Sequence, residues 1–426
     1  MNGITIFKRC SFCALALCLG IASVSLLLNV ITPAQATPLE KYEPQEAITG
    51  TITIWHSYVP DTSEELALDQ VIADVLSENP DLVITATHKP FGDISALYEA
   101  AVLSGGGPDL LLSTNDNLGH EFRMGVISNL DDYLEGRLTK VYTTAIEGMK
   151  VNGELFGVPE SAKAVALFYN KAAVSTPPVK TTDLLQLVQQ GKKLVIANGL
   201  AGGPYYNFGF YGAFDGKLLD ENGRCIAKDG GVAPAMQYLV DLKNAGATII
   251  TDSYGQGNAP FCNRQIDMLI DGPWNLRWYQ ECLGDDLGLV LLPEGPDSAA
   301  SPMNGIDGFF VNPNTDHFTS TIELALFMTN QPSAQIFTNV GGHVPIRTDV
   351  SSTDPLVNTF ALASAQGWPR YQGPEMDNYW LPFGDMMTWV LAGVVSPEQG
   401  VRIACDRMNL YNGFGLATFV PFISRK

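Results

Sequence analysis

Three short apolar strands separated by two amphipathic helices, packed into about 65 residues, constrain this chain more than any other feature. Thr51-Ile52-Thr53-Ile54-Trp55 is dominated by β-branched and aromatic residues and reads as a strand. Leu68, Val71, Ile72, Val75 and Leu76 then recur with the period of one buried helix face, and Pro80 stops that helix. Thr62 and Glu65 have the spacing of a capping box at its start. Val83–Thr87 is a second strand, and Ile94, Leu97 and Ala101 mark a second helix closed by Gly105-Gly106-Gly107. Leu110-Leu111-Leu112 is a third strand, continuously apolar as for one covered on both faces. Strands and helices alternating at this spacing pair in parallel through right-handed crossovers, so the expected fold class is α/β.

The alternation continues more loosely. Ala164–Tyr169, Lys193–Ile196 and Gly288–Leu292 read as strands, and Met236, Leu239 and Val240 sit on the buried side of a helix ending at Gly246. A chain of 426 residues that is 46% hydrophobic has enough apolar surface for two or three cores, which rules out wholesale disorder. A formal charge of −20 repels phosphate backbones and anionic bilayers, so nucleic acid is excluded as a partner class.

The N-terminus reads as an export signal. Lys8-Arg9 precedes an apolar run from Cys10 to Ile31, and Ala34-Gln35-Ala36 places small residues where signal peptidase needs them. Residues 1–36 are therefore read as a signal peptide cleaved after Ala36, and 37–49 as a polar tether. The alternative is an uncleaved N-terminal membrane anchor, because the run is long enough to span a bilayer. A periplasmic or extracytoplasmic protein keeps Cys225, Cys262, Cys282 and Cys405, which allow three pairings. Cys262 and Cys282, flanking the segment around Trp274, are the expected pair, leaving Cys225 with Cys405. These four cysteines form no CxxC and the five His no HExxH, so neither metal nor cofactor is expected. Nucleophile motifs are also missing: there is no GxSxG and no Walker A, and Gly105-Gly106-Gly107-Pro108 follows a helix rather than a strand. No catalytic residue is expected, although paired carboxylates for glycoside hydrolysis cannot be read from sequence.

Four segments carry a resemblance. They are Gly107-Pro108-Asp109-Leu110 ahead of Asp116; Val151–Pro159 followed by Leu167-Phe168-Tyr169-Asn170-Lys171; Asp267–Trp274; and Gly341–Arg347. In this order and spacing they resemble bacterial extracellular solute-binding proteins of family 1, the maltose-binding-protein-like sugar-binding subunits of ABC importers. The resemblance covers most of residues 50–416. It implies a two-lobe fold with a hinge between the lobes, each lobe a mostly parallel sheet flanked by helices. The lobes are expected at 50–160 plus 303–350 and at 164–300 plus 354–426.

The residues agree with a sugar site, which needs aromatic planes for C–H faces and polar groups for hydroxyls. The resemblance places Trp274 and Trp380 as stacking planes, with Tyr205 as a third aromatic, interchangeable with Tyr206. Asp116 falls on a hydroxyl-binding carboxylate just after the third strand, with a helix N-cap as its other reading. Tyr58 lies on the loop after the first strand and Asp307 on a segment returning past the cleft. Glu65 is a capping residue first and a ligand only by analogy. Lys163 either meets an anionic sugar or pairs with Glu160. Maltodextrin binders differ at Ser113, Asn117, Lys163, Gly203 and Gly384, where they carry Trp, Arg, Glu, Glu and Arg. The expected ligand is consequently a short non-maltodextrin sugar or glycoside, such as a disaccharide or a glycosylated osmolyte. A monomer is expected, working with a membrane permease and an ATPase; a receptor presenting ligand to a membrane sensor would use the same closed lobes. The alternative function is a secreted carbohydrate-active enzyme on a similar scaffold.

Overall fold

The computed structural model describes residues 42–415, so the signal-peptide reading of 1–36 lies outside the described residues. The α/β unit at the start of the chain forms as its pattern requires. The strands β1 (Gly50–His56), β2 (Leu82–His88) and β3 (Leu110–Thr114) pair in parallel, with Ile54 opposite Leu110 and Ala86. Ile52, Ile54 and all three leucines of β3 are fully buried. The helix Ser63–Glu78 closes one face with Leu68, Val71 and Val75. The helix Ile94–Leu103 buries Ile94, Tyr98 and Val102, whereas Leu97 is exposed.

The expected capping box is not made. Asp61 turns the chain with φ 64°, which presents its own N–H to the Glu65 carboxylate at 2.7 Å. The Thr62 hydroxyl donates back to the Val59 carbonyl instead of accepting from the helix. The region read as a tether is held in its second half, where Tyr42 donates to Glu323 and Ser320 bonds the Ala47 carbonyl.

After a hairpin of β4 (Lys150–Val151) and β5 (Glu154–Leu155), β6 (Val158–Lys163) joins the first sheet and β7 (Ala166–Asn170) begins a second. The second sheet is completed by β8 (Leu194–Ala197), β9 (Thr248–Ile250), β10 (Met268–Asp271) and β11 (Leu287–Val290), in the order β11-β7-β10-β8-β9. The chain returns to the first sheet through β12 (Met303–Val311), β13 (Val344–Pro345) and β14 (Trp368–Pro369), giving β13-β6-β12-β3-β1-β2 with β14 beside β12. Each sheet is more mixed than the mostly parallel pattern expected. β12 runs antiparallel to β3 and β6, and β7 antiparallel to β10 and β11, because these strands carry the chain between the sheets rather than through a helical crossover.

Period-two alternation divides the second sheet between two cores. Leu167, Tyr169, Leu194 and Ile196 face one, and Ala166, Phe168, Val195 and Ala197 the other. Both expected disulfides are present. Cys262–Cys282 ties together the two helices that flank the Trp274 segment, and Cys225–Cys405 fastens a loop to the helix Pro397–Tyr411.

Candidate functional site

The carboxyl ends of parallel strands are where such sheets gather ligand groups, since helix N-termini and loop side chains converge there. Here a cavity of about 560 Å³ is lined from both sheets: by the loops after β1 and β3, the end of β6, the turns after β8 and β10, and the segment after β14. Tyr58, Asp116, Lys163, Tyr205, Trp274 and Trp380 all line it.

Trp274 owes its place to Gly272-Pro273. The ring folds back over Gly272, where a Cβ would lie 2.1 Å from it, so only glycine admits this position. Beneath it Asp271 accepts from the Tyr279 hydroxyl at 2.6 Å, the Asn275 amide at 2.9 Å and the Gly272 N–H at 2.8 Å. Burial pushes the Asp271 carboxyl up to about 6, against the pull of these donors. Tyr205 and Tyr206 both line the cavity, but their roles differ. Tyr206 is stacked on Tyr254 with centroids 4.0 Å apart, while Tyr205 lies 6.1 Å from Trp274 and faces Arg370.

Arg370 is the main residue missed from sequence. Its side chain is 1% exposed and its guanidinium is paired with Asp116, with Nη1 also 3.4 Å from Asn115 Oδ1. It sits 5.7 Å from the Tyr205 ring and 5.6 Å from that of Trp380, within cation–π range of both. Its Nε is buried without a hydrogen-bond partner among the described residues. The available signal was a lone Arg among aromatics, Trp368-Pro369-Arg370-Tyr371, just ahead of the Pro374–Trp380 segment. Asp116 is not a helix cap: the cap of its short turn is Thr114.

The cavity floor is a buried charge cluster. Lys163 makes no direct ion pair with Glu160, which sits at an irregularity of β6 in the same cluster and bonds His343 instead. The Lys163 Nζ lies 2.6 Å from Asp307 and 3.3 Å from Glu64. Asp307 itself stands behind Lys163 and does not line the cavity. Glu65 is turned to the Asp61 backbone, and its neighbour Glu64 lines the cavity in its place. Glu160 holds His343 Nδ1 at 3.0 Å, and the other ring nitrogen lies 3.2 Å from Glu64. Burial alone would lower the His343 imidazolium, but Glu160 and Glu64 outweigh it and raise it to about 10. For Glu64, burial pushes upward but Lys163 and His343 together hold it below the usual carboxylate range. Asp307 is pushed up to about 6, chiefly by burial and against the pull of Lys163.

A model of the family described as "bacterial extracellular solute-binding protein" matches residues 70–364. The chain belongs to that family. The maltotriose-binding protein of Pyrococcus abyssi is 24% identical over 79% of this chain and 76% of its own length. The galactooligosaccharide-binding protein of Bacillus subtilis is 23% identical over 94% and 96%. Among solved structures, a maltose/maltodextrin-binding domain from Bdellovibrio bacteriovorus bound to maltotriose superposes with a TM-score of 0.77 at 22% identity, over 85% of this chain and all of that one. The chain thus has the two-lobe fold of periplasmic binding proteins. In a solute-binding protein this cavity offers one aromatic-lined wall and two groups of opposed charges, Asp116 with Arg370 and Glu64 with Lys163. Such a set exchanges hydrogen bonds with hydroxyls in both directions. Among the described residues, no helix is long and apolar enough to cross a membrane.

Proposed function

We propose that this solute-binding protein is the sugar-binding subunit of an ABC-type importer, and that the cavity takes a short neutral sugar or glycoside. The observation that carries this is the pairing of aromatic planes, Trp274, Tyr205 and Trp380, with buried donors and acceptors around one cavity of about 560 Å³. That volume lies within the ~300–1,000 Å³ usual for small-molecule sites. Flat rings pack the C–H faces of pyranoses, and Asp116, Arg370, Glu64 and Lys163 answer the hydroxyl rim. The names of the relatives support sugar as the ligand class. They also favour a second reading, a maltooligosaccharide, since both the Pyrococcus relative and the Bdellovibrio domain are described with maltotriose.

In this reading the lobes, 50–160 plus 303–350 and 164–300 plus 354–426, close as bodies on a hinge. The chain passes between the sheets between Lys163 and Ala166, and ligand touching both lobes shifts the population to the closed form. A leader cleaved after Ala36 delivers the protein outside the cytoplasm, where a permease and ATPase pair take the bound sugar from it. A thermal-shift panel of disaccharides, glucosides and maltooligosaccharides identifies the ligand, because binding raises the melting temperature with ligand concentration over Kd. Recovery of unchanged sugar after incubation distinguishes a binder from a carbohydrate-active enzyme.

A further inference from the structure

We infer that the buried carboxylate of Asp307 is a charge filter, cancelling Lys163 so that the cavity admits neutral sugars and rejects anionic ones. The inference rests on the sugar-binding reading above and names the residue that sets the charge class of the ligand.

Lys163 by itself has the look of an anion receptor. It lines the cavity, with its ammonium 5.8 Å from the Tyr58 ring and 5.7 Å from that of Trp274. Its charge is already answered, by Asp307 at 2.6 Å and Glu64 at 3.3 Å. His343 is likewise held between Glu160 and Glu64. The cluster therefore sets three carboxylates against two cations and leaves one negative charge in surplus. Arg370 cannot redress this, since Asp116 cancels it. In a dry site a like charge brought next to that surplus is repelled, whereas a neutral hydroxyl accepts from the third N–H of Lys163 at no such cost.

Asp307 lies closest to the Lys163 ammonium, at 2.6 Å, and Asn removes its charge with little change of shape. It is faced by Lys163 and Glu160 from β6, by Glu64 from the helix Ser63–Glu78, and by the Tyr58 and Tyr205 hydroxyls; its β3 partner, Thr114, is uncharged. Asp307→Asn leaves two carboxylates against two cations, so the surplus disappears. Acid does the same in the unaltered protein. Burial holds the Asp307 carboxyl up to about 6, so at pH 5.5 it takes a proton while a sugar uronate stays ionised.

The test is calorimetric titration of the purified full chain with trehalose and maltotriose, each against its counterpart carrying a 6-carboxylate. At pH 7.5 the wild type should prefer the neutral member by about tenfold or more. Asp307→Asn should narrow that preference to about threefold, and wild type at pH 5.5 should move the same way. The pH arm needs no substitution, so it decides the matter even if the variant fails to fold. Equal binding of both members at pH 7.5 overturns the filter, as does a preference unchanged in both the variant and wild type at pH 5.5. If wild type binds neither these pairs nor any sugar of the thermal-shift panel, the sugar-binding reading fails and the filter falls with it.

Discussion

Replacing Trp274 by Ala tests whether the aromatic wall does the binding. A Trp side chain buries roughly 150–250 Å² when covered, and Trp274 is already partly covered by Gly272, Tyr205 and Tyr206. If the face turned to the cavity contributes about 80 Å², its loss costs about 2 kcal/mol at 25 cal/mol per Å². That is roughly thirtyfold in Kd. Trp274→Phe keeps a smaller plane and should lose less than half of this. The assay is isothermal calorimetry with the sugar that gives the largest thermal shift, alongside a melt without ligand to confirm that the variant folds. Ring loss should also lower the apo melting temperature, since the covered face packs against Gly272, Tyr205 and Tyr206, which is why binding is compared only on the folded variant. A folded Trp274→Ala protein that binds the sugar within twofold of wild type would refute the reasoning and move the site elsewhere.

Other predictions follow from the same geometry. Arg370→Met should weaken sugar binding by about 2 kcal/mol or more, because it also leaves the Asp116 carboxylate without its cation; calorimetry of the folded variant checks this. His343 is raised to about 10 in the fold, so its contribution to stability is complete below about pH 6.5 and is lost as pH rises through about 10. Denaturant titrations from pH 6 to 10.5 should show that decline, and His343→Gln should flatten it. Reduction of Cys262–Cys282 opens a crosslink of sequence separation 20, worth about 3 kcal/mol in the chain-entropy model, and should lower the melting temperature while leaving residual sugar binding.

What the sequence revealed and what it concealed divide along physical lines. The β1–β3 unit was legible because its apolar periods are local, and Trp274 because Gly272-Pro273 announces a turn that seats a large ring. The cysteine pair around it was expected because Cys262 and Cys282 flank that segment. Glu64 was mistaken for Glu65 because one residue on a helix rotates a side chain by about 100°, and the Asp61 turn that settles the choice is a backbone event. The partners of Lys163 lie 99 and 144 residues away, on the helix Ser63–Glu78 and on β12, so only the folded chain identifies them. Arg370 was missed for the same reason, since its meaning comes from Asp116, 254 residues distant.

The central claim is that one sugar-binding cavity lies between the two sheets. Titration of the purified protein with a panel of neutral disaccharides and maltooligosaccharides, followed by chromatography of the recovered sugar, tests it most directly. The account predicts saturable one-to-one binding of at least one panel member, recovered chemically unchanged, with binding diminished in both Trp274→Ala and Arg370→Met. Cleavage of the sugar, or binding by both folded variants with wild-type affinity, would contradict it.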